Sequence, residues 1–248
     1  MVSRINPSLS VDCVVFGFDG RSLKVLLLER RYRLRSGEEA HDFKLPGSLI
    51  YEDEDVRSAA HRVLEQYTGQ REIYLRQLHV FSRPDRVEGE ELAWLQAHYR
   101  VETSRVVTVA YYMLVKLDES LLSYVRTHGA RWIELETVHH LAMDHKQILG
   151  YALETLGKQM MAEPIAFELL PRRFTLRQLQ QLYEGILGIE IDNRNFRKKV
   201  LSSDYISPTG EREKQVAHKP AMYYTFNRQK FSKDIRQKFR LNFINWQL

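Results

Sequence analysis

The chain has 248 residues, of which 44% are hydrophobic and 28% are charged, and its formal net charge is +5. This composition is typical of a folded globular protein and excludes a mainly disordered one, and the length is sufficient for two domains. The longest apolar run, VVTVAYYMLV, is about half of the ~20 residues that a membrane-spanning helix needs, and the N-terminus lacks the apolar core of a signal peptide. We therefore expect a cytoplasmic protein.

The first elements predicted along the chain are two β-strands. Residues 11–18 (VDCVVFGF) and 23–30 (LKVLLLER) are largely apolar runs of strand length, and the pair DG at 19–20 is a turn signal between them. Cys13 is the single cysteine and lies in the first strand. An internal disulfide is therefore excluded, and we expect a buried structural thiol.

The next predicted element is a helix over residues 55–67, because apolar side chains recur there at helical spacing. These side chains are Val56, Ala59, Ala60, Val63, Leu64 and Tyr67. Strands are predicted at 74–82 and 106–117, and a short strand with a turn at 130–138. A polar insertion (87–105) separates the first two, and its LAWLQ segment is compatible with a short helix.

An amphipathic helix over residues 144–161 is predicted to close the first domain. The following segment, AEPIAFELLPRRF, contains two prolines and marks a boundary. We place the first domain at residues 1–164 and the second at 165–248. The second has 16 basic and 8 acidic residues, a net charge of +8, whereas the first has a net charge of −3. This asymmetry favours a nucleic-acid partner for the second domain.

The second domain has the pattern of a winged helix-turn-helix. Thr175 and Gln178 form a capping box before an apolar-periodic helix that ends at Gly188, and Asp192 can cap a second helix, NRNFRKKVLSS. A strand ending in a turn (ISPTG), a basic loop and a strand (MYYTF) follow as a hairpin. The aromatic tail, residues 239–248, packs on a domain or on a partner chain; the sequence leaves both open.

Arg and Asn on a helix in the major groove can read guanine and adenine, and basic wing residues suit phosphates. The predicted DNA-binding residues are Thr175, Arg177, Arg194, Asn195, Arg197, Lys198, Lys199, Arg212 and Lys219, with Lys214 and His218 as further wing candidates. The alternative to DNA binding is a basic helix whose charges only keep the domain soluble.

Residues 46–69 (PGSLIYEDEDVRSAAHRVLEQYTG) resemble the Nudix box, G-x5-E-x7-R-E-U-x-E-E-x-G-U, in which U is a bulky apolar residue. The matching positions are Glu54, Arg62, Leu64 and Gly69. Ser48 stands at the first Gly, and Gln70 stands at the last apolar position. The resemblance implies a Nudix αβα sandwich, so that the predicted fold class is α+β, with this domain followed by the winged helix.

Three acidic positions of the box are filled by Val63, Gln66 and Tyr67. Nudix hydrolases use carboxylates of this helix to hold Mg²⁺ or Mn²⁺, which neutralises a diphosphate and activates water. Glu65 is one residue away, about 100° around a helix, so it should point elsewhere. Residues 52–55 (EDED) are interpreted as a solvated loop and helix start. We therefore predict no catalytic residue, no metal and no cofactor.

The whole chain resembles the Nudix-related transcriptional regulators. FSRPDR, SRVVTVAYY, FTLRQLQQLYEGILG, NRNFRKKVL, PTGE and KPAMYYTF carry this resemblance. It implies a homodimer that binds a palindromic double-stranded DNA operator as a repressor or activator, and a small effector in the Nudix-like domain. The effector is either an ADP-ribose-type nucleotide or a sugar such as L-arabinose. The alternatives are a Nudix hydrolase acting on ADP-ribose-like substrates and a plain interaction module.

Candidate effector-binding residues lie next to the box and the strands of the Nudix-like domain. They are charged and suit hydroxyls or phosphates. The predicted set is Arg31, Lys44, Glu54, Asp85, Arg86 and Arg105.

Overall fold

The computed structural model divides into two units, Met1–Asp19 with Leu23–Thr155, and Gly20–Ser22 with Leu156–Leu248. The structure describes residues 4–33, 37–70, 75–214 and 219–232. His218 and the aromatic tail lie outside these residues, and the domain boundary at 164/165 stays a prediction. Within the described ranges, no helix combines the length and the apolar character needed to cross a membrane.

A mixed β-sheet forms the centre of the first unit. Its strands, as far as the chain is described, are β1 (Ile5–Phe18), β2 (Leu23–Arg33), β3 (Glu39–Lys44), β4 (Gly47–Tyr51), β5 (Leu75–Phe81), β6 (Val107–Lys116) and β7 (Ala130–Glu134). The order is β3-β2-β1-β6-β5, while β4 pairs with β1 and β7 pairs with β2. β1 and β6 are parallel, and the other pairs are antiparallel. β1 is central, as its continuous apolar run indicates.

Helices cover the sheet. They are α1 (Val56–Thr68), α2 (Gly89–Tyr99), α3 (Glu119–Thr127) and α4 (His145–Ala162), which begins in the first unit. Because strand side chains alternate, Val11, Cys13 and Val15 face one side, where they join a core with buried residues of α1 and α3. The Cys13 thiol is fully buried, as predicted, and burial raises its pKa.

Both ends of α1 are set by the sequence. The side chain of Asp55 accepts a hydrogen bond from the Ser58 amide at 2.7 Å, which confirms the interpretation of the EDED segment as a helix start. Gly69 ends the helix with φ = 67°, and a Cβ there would lie 2.9 Å from the ring of Tyr124. Glycine is therefore required at position 69 by both backbone conformation and space.

The main predicted elements of this unit are confirmed, with additions. β1 begins earlier than expected, at Ile5, and the short helix considered for LAWLQ is a longer one, α2, that spans Gly89–Tyr99. β3, β4 and α3 were not predicted. Polar residues interrupt β3, and β4 has only five residues, so neither gives a clear two-residue alternation.

The second unit has the predicted winged-helix elements. They are β8 (Phe174–Thr175), α5 (Leu176–Leu187), α6 (Asn193–Leu201), β9 (Ile206–Arg212) and β10 (Met222–Phe226), and the described strands form a sheet of order β8-β10-β9. The capping box at Thr175 and the left-handed Gly188 are confirmed. The turn predicted within ISPTG is wrong. β9 continues to Arg212, with Gly210 at φ = 82° and a bulge in its pairing with β10.

Candidate functional site

A cleft of about 410 Å³ lies between α1, α2 and the strands β2 to β4. Its volume suits a small-molecule ligand. Its charged lining residues are Glu29, Arg30, Arg31, Lys44 and Arg62; its other polar and aromatic ones are Ser48, Tyr51, Gln66, Tyr67, Trp94, His98, Tyr99 and His128. Among the described lining residues, the carboxylate of Glu29 is the only acidic group, so hydrogen-bond donors predominate.

The face of α1 that contributes to the cleft carries no carboxylate. Val63 is 1% exposed and belongs to the hydrophobic core, although its edge touches the cleft. Gln66 and Tyr67 offer an amide and a phenol there, and burial raises the pKa of Tyr67, which keeps the phenol protonated at neutral pH. Glu65 is not one of the described residues that line the cleft.

Glu54 and Arg62 neutralise each other at the edge of the cleft. The Arg62 guanidinium donates to both carboxylate oxygens of Glu54, with Nε at 3.0 Å from Oε2. Glu54 also accepts a hydrogen bond from the Tyr51 amide, which donates to Oε1 at 2.8 Å. The ring of Tyr51 lies 4.3 Å from the Arg62 guanidinium carbon, a cation–π contact. Glu54 thus holds Arg62 in place.

Helix α2, from the insertion, is anchored as one wall of the cleft by Arg30. This side chain is 2% exposed and binds two carboxylates, those of Asp42, with Nε at 2.8 Å from Oδ1, and Glu91. Its guanidinium carbon also lies 4.7 Å from the ring centre of Trp94, which stacks on His98. Because a buried ion pair is costly to break on one side only, this contact fixes the position of α2.

A second buried cluster lies behind the cleft at the start of α4. Arg86 donates to both oxygens of Asp144, at 2.9 and 2.7 Å, and lies 3.6 Å from Asp12. His145 accepts the Leu45 amide on Nδ1 at 2.9 Å, so its proton is on Nε2, which faces Asp12 at 3.4 Å. Burial lowers the pKa of His145, against the field of Asp12.

In the second unit, a hydrogen-bonded turn sets the angle between α5 and α6. The buried Gln180 amide donates to the Ile191 carbonyl at 2.8 Å and to Glu184 at 2.9 Å, and Glu184 accepts the Ile191 amide at 3.1 Å. The Asp192 side chain caps α6 by accepting from Asn195 N at 2.8 Å, as predicted.

Helix α6 buries one aromatic side chain and leaves its cations in solvent. Phe196 is 8% exposed and packs on Tyr183, with ring centres 5.9 Å apart. The predicted residues of α6 are all exposed, as is Arg177 of α5: Arg194, Asn195, Arg197, Lys198 and Lys199. Within the part of the chain that the structure describes, no carboxylate lies within 4 Å of these four α6 cations or of Arg177.

The wing residues that are described are also exposed. Arg212 ends β9 and donates to the Pro220 carbonyl at 3.2 Å, and Lys214 and Lys219 lie in solvent. Thr175 differs from the other predicted DNA-binding residues, because it is 3% exposed and its hydroxyl accepts the Gln178 amide in the capping box. Its side chain has a structural role at the start of α5.

Two family models match the chain, each over one of these regions. The model for the NUDIX domain matches residues 6–153, and the model for the NrtR DNA-binding winged helix domain matches residues 166–226. The first match covers more than half of the chain. The chain belongs to the Nudix family. With its winged helix, it is one of the Nudix-related transcriptional regulators, as the resemblance implied.

Individual relatives agree with this assignment. The "ADPR responsive transcriptional repressor NtrR" of Acinetobacter baylyi is 27% identical over 226 residues, which are 89% of this chain and 82% of that protein. The crystal structure of Shewanella oneidensis NrtR with a 27mer DNA superposes with a TM-score of 0.66 at 26% identity, covering 90% of this chain and 95% of that one. The structure of the same NrtR described without DNA gives 0.64 and 27%, with the same coverage.

The Nudix cleft of this chain does not fit a divalent metal ion. Mg²⁺ and Mn²⁺ prefer carboxylate and carbonyl oxygens, and the box helix offers Val63, Gln66 and Tyr67 at the acidic positions. Glu54, the acidic box position that remains, is bonded to Arg62. Across the described residues, no three His, Cys, Asp or Glu side chains converge as a metal site would require.

The predicted effector-binding residues of the Nudix domain are dispersed in the structure. Arg31 and Lys44 line the cleft, and Glu54 bonds Arg62 at its edge. Arg86 is buried with Asp144, whereas the remaining two are exposed: Asp85 bonds Arg83 at 2.5 Å, and Arg105 donates to the Ser82 carbonyl at 2.9 Å.

Sequence reasoning did not propose several residues that line the cleft. These are Tyr51, Arg62, Tyr67, Trp94, His98 and Tyr99. The signal for Trp94 and His98 was their spacing of four residues, which puts both on one face of a helix.

Proposed function

We propose that this protein is a cytoplasmic transcriptional repressor without hydrolase activity, controlled by ADP-ribose or a similar nucleotide. The observation that carries the proposal is the set of exposed α6 cations without a carboxylate partner among the described residues, in a helix-turn-helix of the family's type. A helix with such a surface matches the phosphates and base edges of DNA. The relative from Acinetobacter baylyi, named an ADPR responsive repressor, supports both the effector and the sign of regulation.

We assign the exposed polar residues of the winged helix to two tasks. Arg194, Asn195 and Arg197 are proposed to reach base edges, since Arg pairs with guanine and Asn with adenine. Lys198, Lys199, Arg177, Arg212 and Lys219 are proposed to bind phosphates. Thr175 contributes through its backbone position at the start of α5. A homodimer would present two copies of α6 to half-sites about one helical turn apart.

The chemistry of the cleft favours a nucleotide over a sugar. Sugar hydroxyls both donate and accept hydrogen bonds, whereas phosphate oxygens only accept. A lining of Arg, Lys, Tyr, Ser and Gln, with Glu29 as its acidic member, suits a ligand that carries phosphates. Binding of the effector would favour one conformation of the dimer and weaken its fit to the operator, which needs about 1–3 kcal/mol of coupling.

DNA binding is tested with the chain's own upstream region. Fluorescence anisotropy over a range of salt concentrations should give a steep negative slope of log K against log salt for the wild type. Arg197→Ala should cost about 1–3 kcal/mol if it reads a base, or reduce the slope by about one if it binds phosphate. Arg126→Ala, at an exposed position of α3, removes the same charge and should have no effect. Equal affinities for both variants would contradict the assignment.

The absence of catalysis is tested by incubating the protein with ADP-ribose and Mg²⁺ or Mn²⁺. We expect no turnover, because no carboxylate of α1 faces the cleft. Metal-dependent hydrolysis that Glu54→Gln abolishes would instead support the alternative, a Nudix hydrolase.

A further inference from the structure

The cations that line the Nudix cleft differ in how well they are neutralised. Arg30 binds Asp42 and Glu91, Arg62 binds Glu54, and Arg31 bonds Glu29 at 3.2 Å. These three guanidiniums therefore have carboxylate partners within the protein. The fourth cation, Lys44, does not follow this pattern.

The ammonium group of Lys44 has only weak contacts. It donates to the carbonyls of Leu45 and Gly47 over 3.4 and 3.3 Å, which are long for hydrogen bonds of a charged donor. No carboxylate lies within 4 Å of it among the described residues. Asp12 acts on Lys44 through its field, but its oxygens contact His145 and Arg86. Burial lowers the pKa of Lys44.

The backbone around Lys44 is held on both sides, so its side chain starts from a fixed position. The Ala142 amide donates to the Phe43 carbonyl at 2.8 Å, and the Leu45 amide donates to Nδ1 of His145. Lys44 lines the same cleft as Ser48 and Tyr99, and the Ser48 hydroxyl donates to the Leu49 carbonyl at 2.7 Å. A cation that extends from a fixed backbone position is preorganised for the oxygens of an anion.

We propose that the cleft binds the diphosphate of its nucleotide effector without a divalent metal ion, and that Lys44 supplies the positive charge that the metal supplies in Nudix hydrolases. This inference rests on the proposed function and assigns Lys44 as the cation that pairs with the diphosphate. The diphosphate stays intact, since no bond to phosphorus is broken. The ligand class is a nucleoside diphosphate ester, for which ADP-ribose is the probe.

The test is calorimetric titration of the full-length protein with ADP-ribose, once in excess EDTA and once in excess Mg²⁺. The wild type should bind equally well in both. Lys44→Met should weaken binding by about 10- to 100-fold, the usual effect of losing a charge-assisted hydrogen bond. Lys44→Arg, which keeps the charge, should stay within about tenfold of the wild type, and exposed Lys116→Met should equal the wild type.

Different failures have different meanings. Binding that disappears in EDTA and returns with Mg²⁺ overturns metal-independent recognition but leaves ADP-ribose as the effector. Equal affinities of Lys44→Met and Lys116→Met overturn the role of Lys44 alone. If Lys44→Met does not fold, Lys44→Arg is decisive: an affinity for ADP-ribose at least about 100-fold weaker than that of the wild type overturns that role as well. No binding to the wild type in either buffer overturns both this inference and the proposed effector.

Discussion

Restoring the first missing acid of the box, by Val63→Glu, should destabilise the protein instead of creating a metal site. Val63 is 1% exposed and packed in the core of the first unit, so an ionised carboxylate there would lose its hydration. The least costly response is to bury the carboxyl group in its protonated form. From an unfolded pKa of about 4.3, protonation at pH 7 costs about 3.7 kcal/mol, at about 1.36 kcal/mol per pH unit.

The sign of the pH dependence follows from the same reasoning. The pKa of the introduced carboxyl group would be raised in the folded state, so the destabilisation should shrink by about 1.4 kcal/mol for each unit that the pH falls towards 4.3. Urea denaturation followed by tryptophan fluorescence, at pH 7 and pH 5, measures both values. Gln66→Glu is the matched control, because Gln66 is exposed on the same helix and its replacement should change the unfolding free energy by less than about 0.5 kcal/mol.

A Val63→Glu variant that is as stable as Gln66→Glu, or whose destabilisation is the same at both pH values, would contradict burial of the carboxyl group. Selective stabilisation of Val63→Glu by Mn²⁺ would contradict it as well. Any of these three results would mean that position 63 faces the solvent of the cleft, as the metal-binding position of the box does.

Three further predictions concern particular contacts. Because the pKa of His145 is lowered in the folded protein, its neutral form contributes stability above about pH 6.5 that is lost as the pH falls. His145→Gln should therefore reduce the loss of unfolding free energy between pH 7 and pH 5, measured by urea denaturation. An unchanged dependence on pH would contradict this. Thr175→Ala should cost about 1 kcal/mol in thermal unfolding through loss of the α5 cap, and an unchanged melting temperature would contradict this. Gly69→Ala should cost more than about 1 kcal/mol, because it combines a positive φ with the close approach of the Tyr124 ring; calorimetry showing no loss would exclude that strain.

The sequence predicted the elements whose local signals agree with their environment. Contacts within a few residues specify the apolar strand β1, the helix caps at Thr175 and Asp192, and the glycines that end α1 and α5. Gly210 misled the prediction, because glycine in a PTG sequence signals a turn, whereas here its positive φ is used by a bulge inside β9.

The cleft was harder to predict because its residues come from distant parts of the chain. Arg30 and Glu91 meet across 61 residues, and nothing local indicates that a polar insertion will form a helix that Arg30 holds in place. Arg86 looked like a ligand-binding residue for the same reason: its buried partner, Asp144, is 58 residues away. Charge type could be read from the sequence, but the partner of each charge could not.

If α6 binds DNA as proposed, its exposed cations also determine where the protein resides. A helix with this surface has appreciable affinity for any duplex, and non-specific dissociation constants of about 10⁻⁴–10⁻⁶ M are weak only when DNA is scarce. A genome offers on the order of 10⁶–10⁹ competing non-specific positions. If α6 binds DNA as proposed, molecules released from the operator transfer mainly to other chromosomal DNA. The relevant competition is then between operator and chromosome, and an effector acts by changing the ratio of the two affinities.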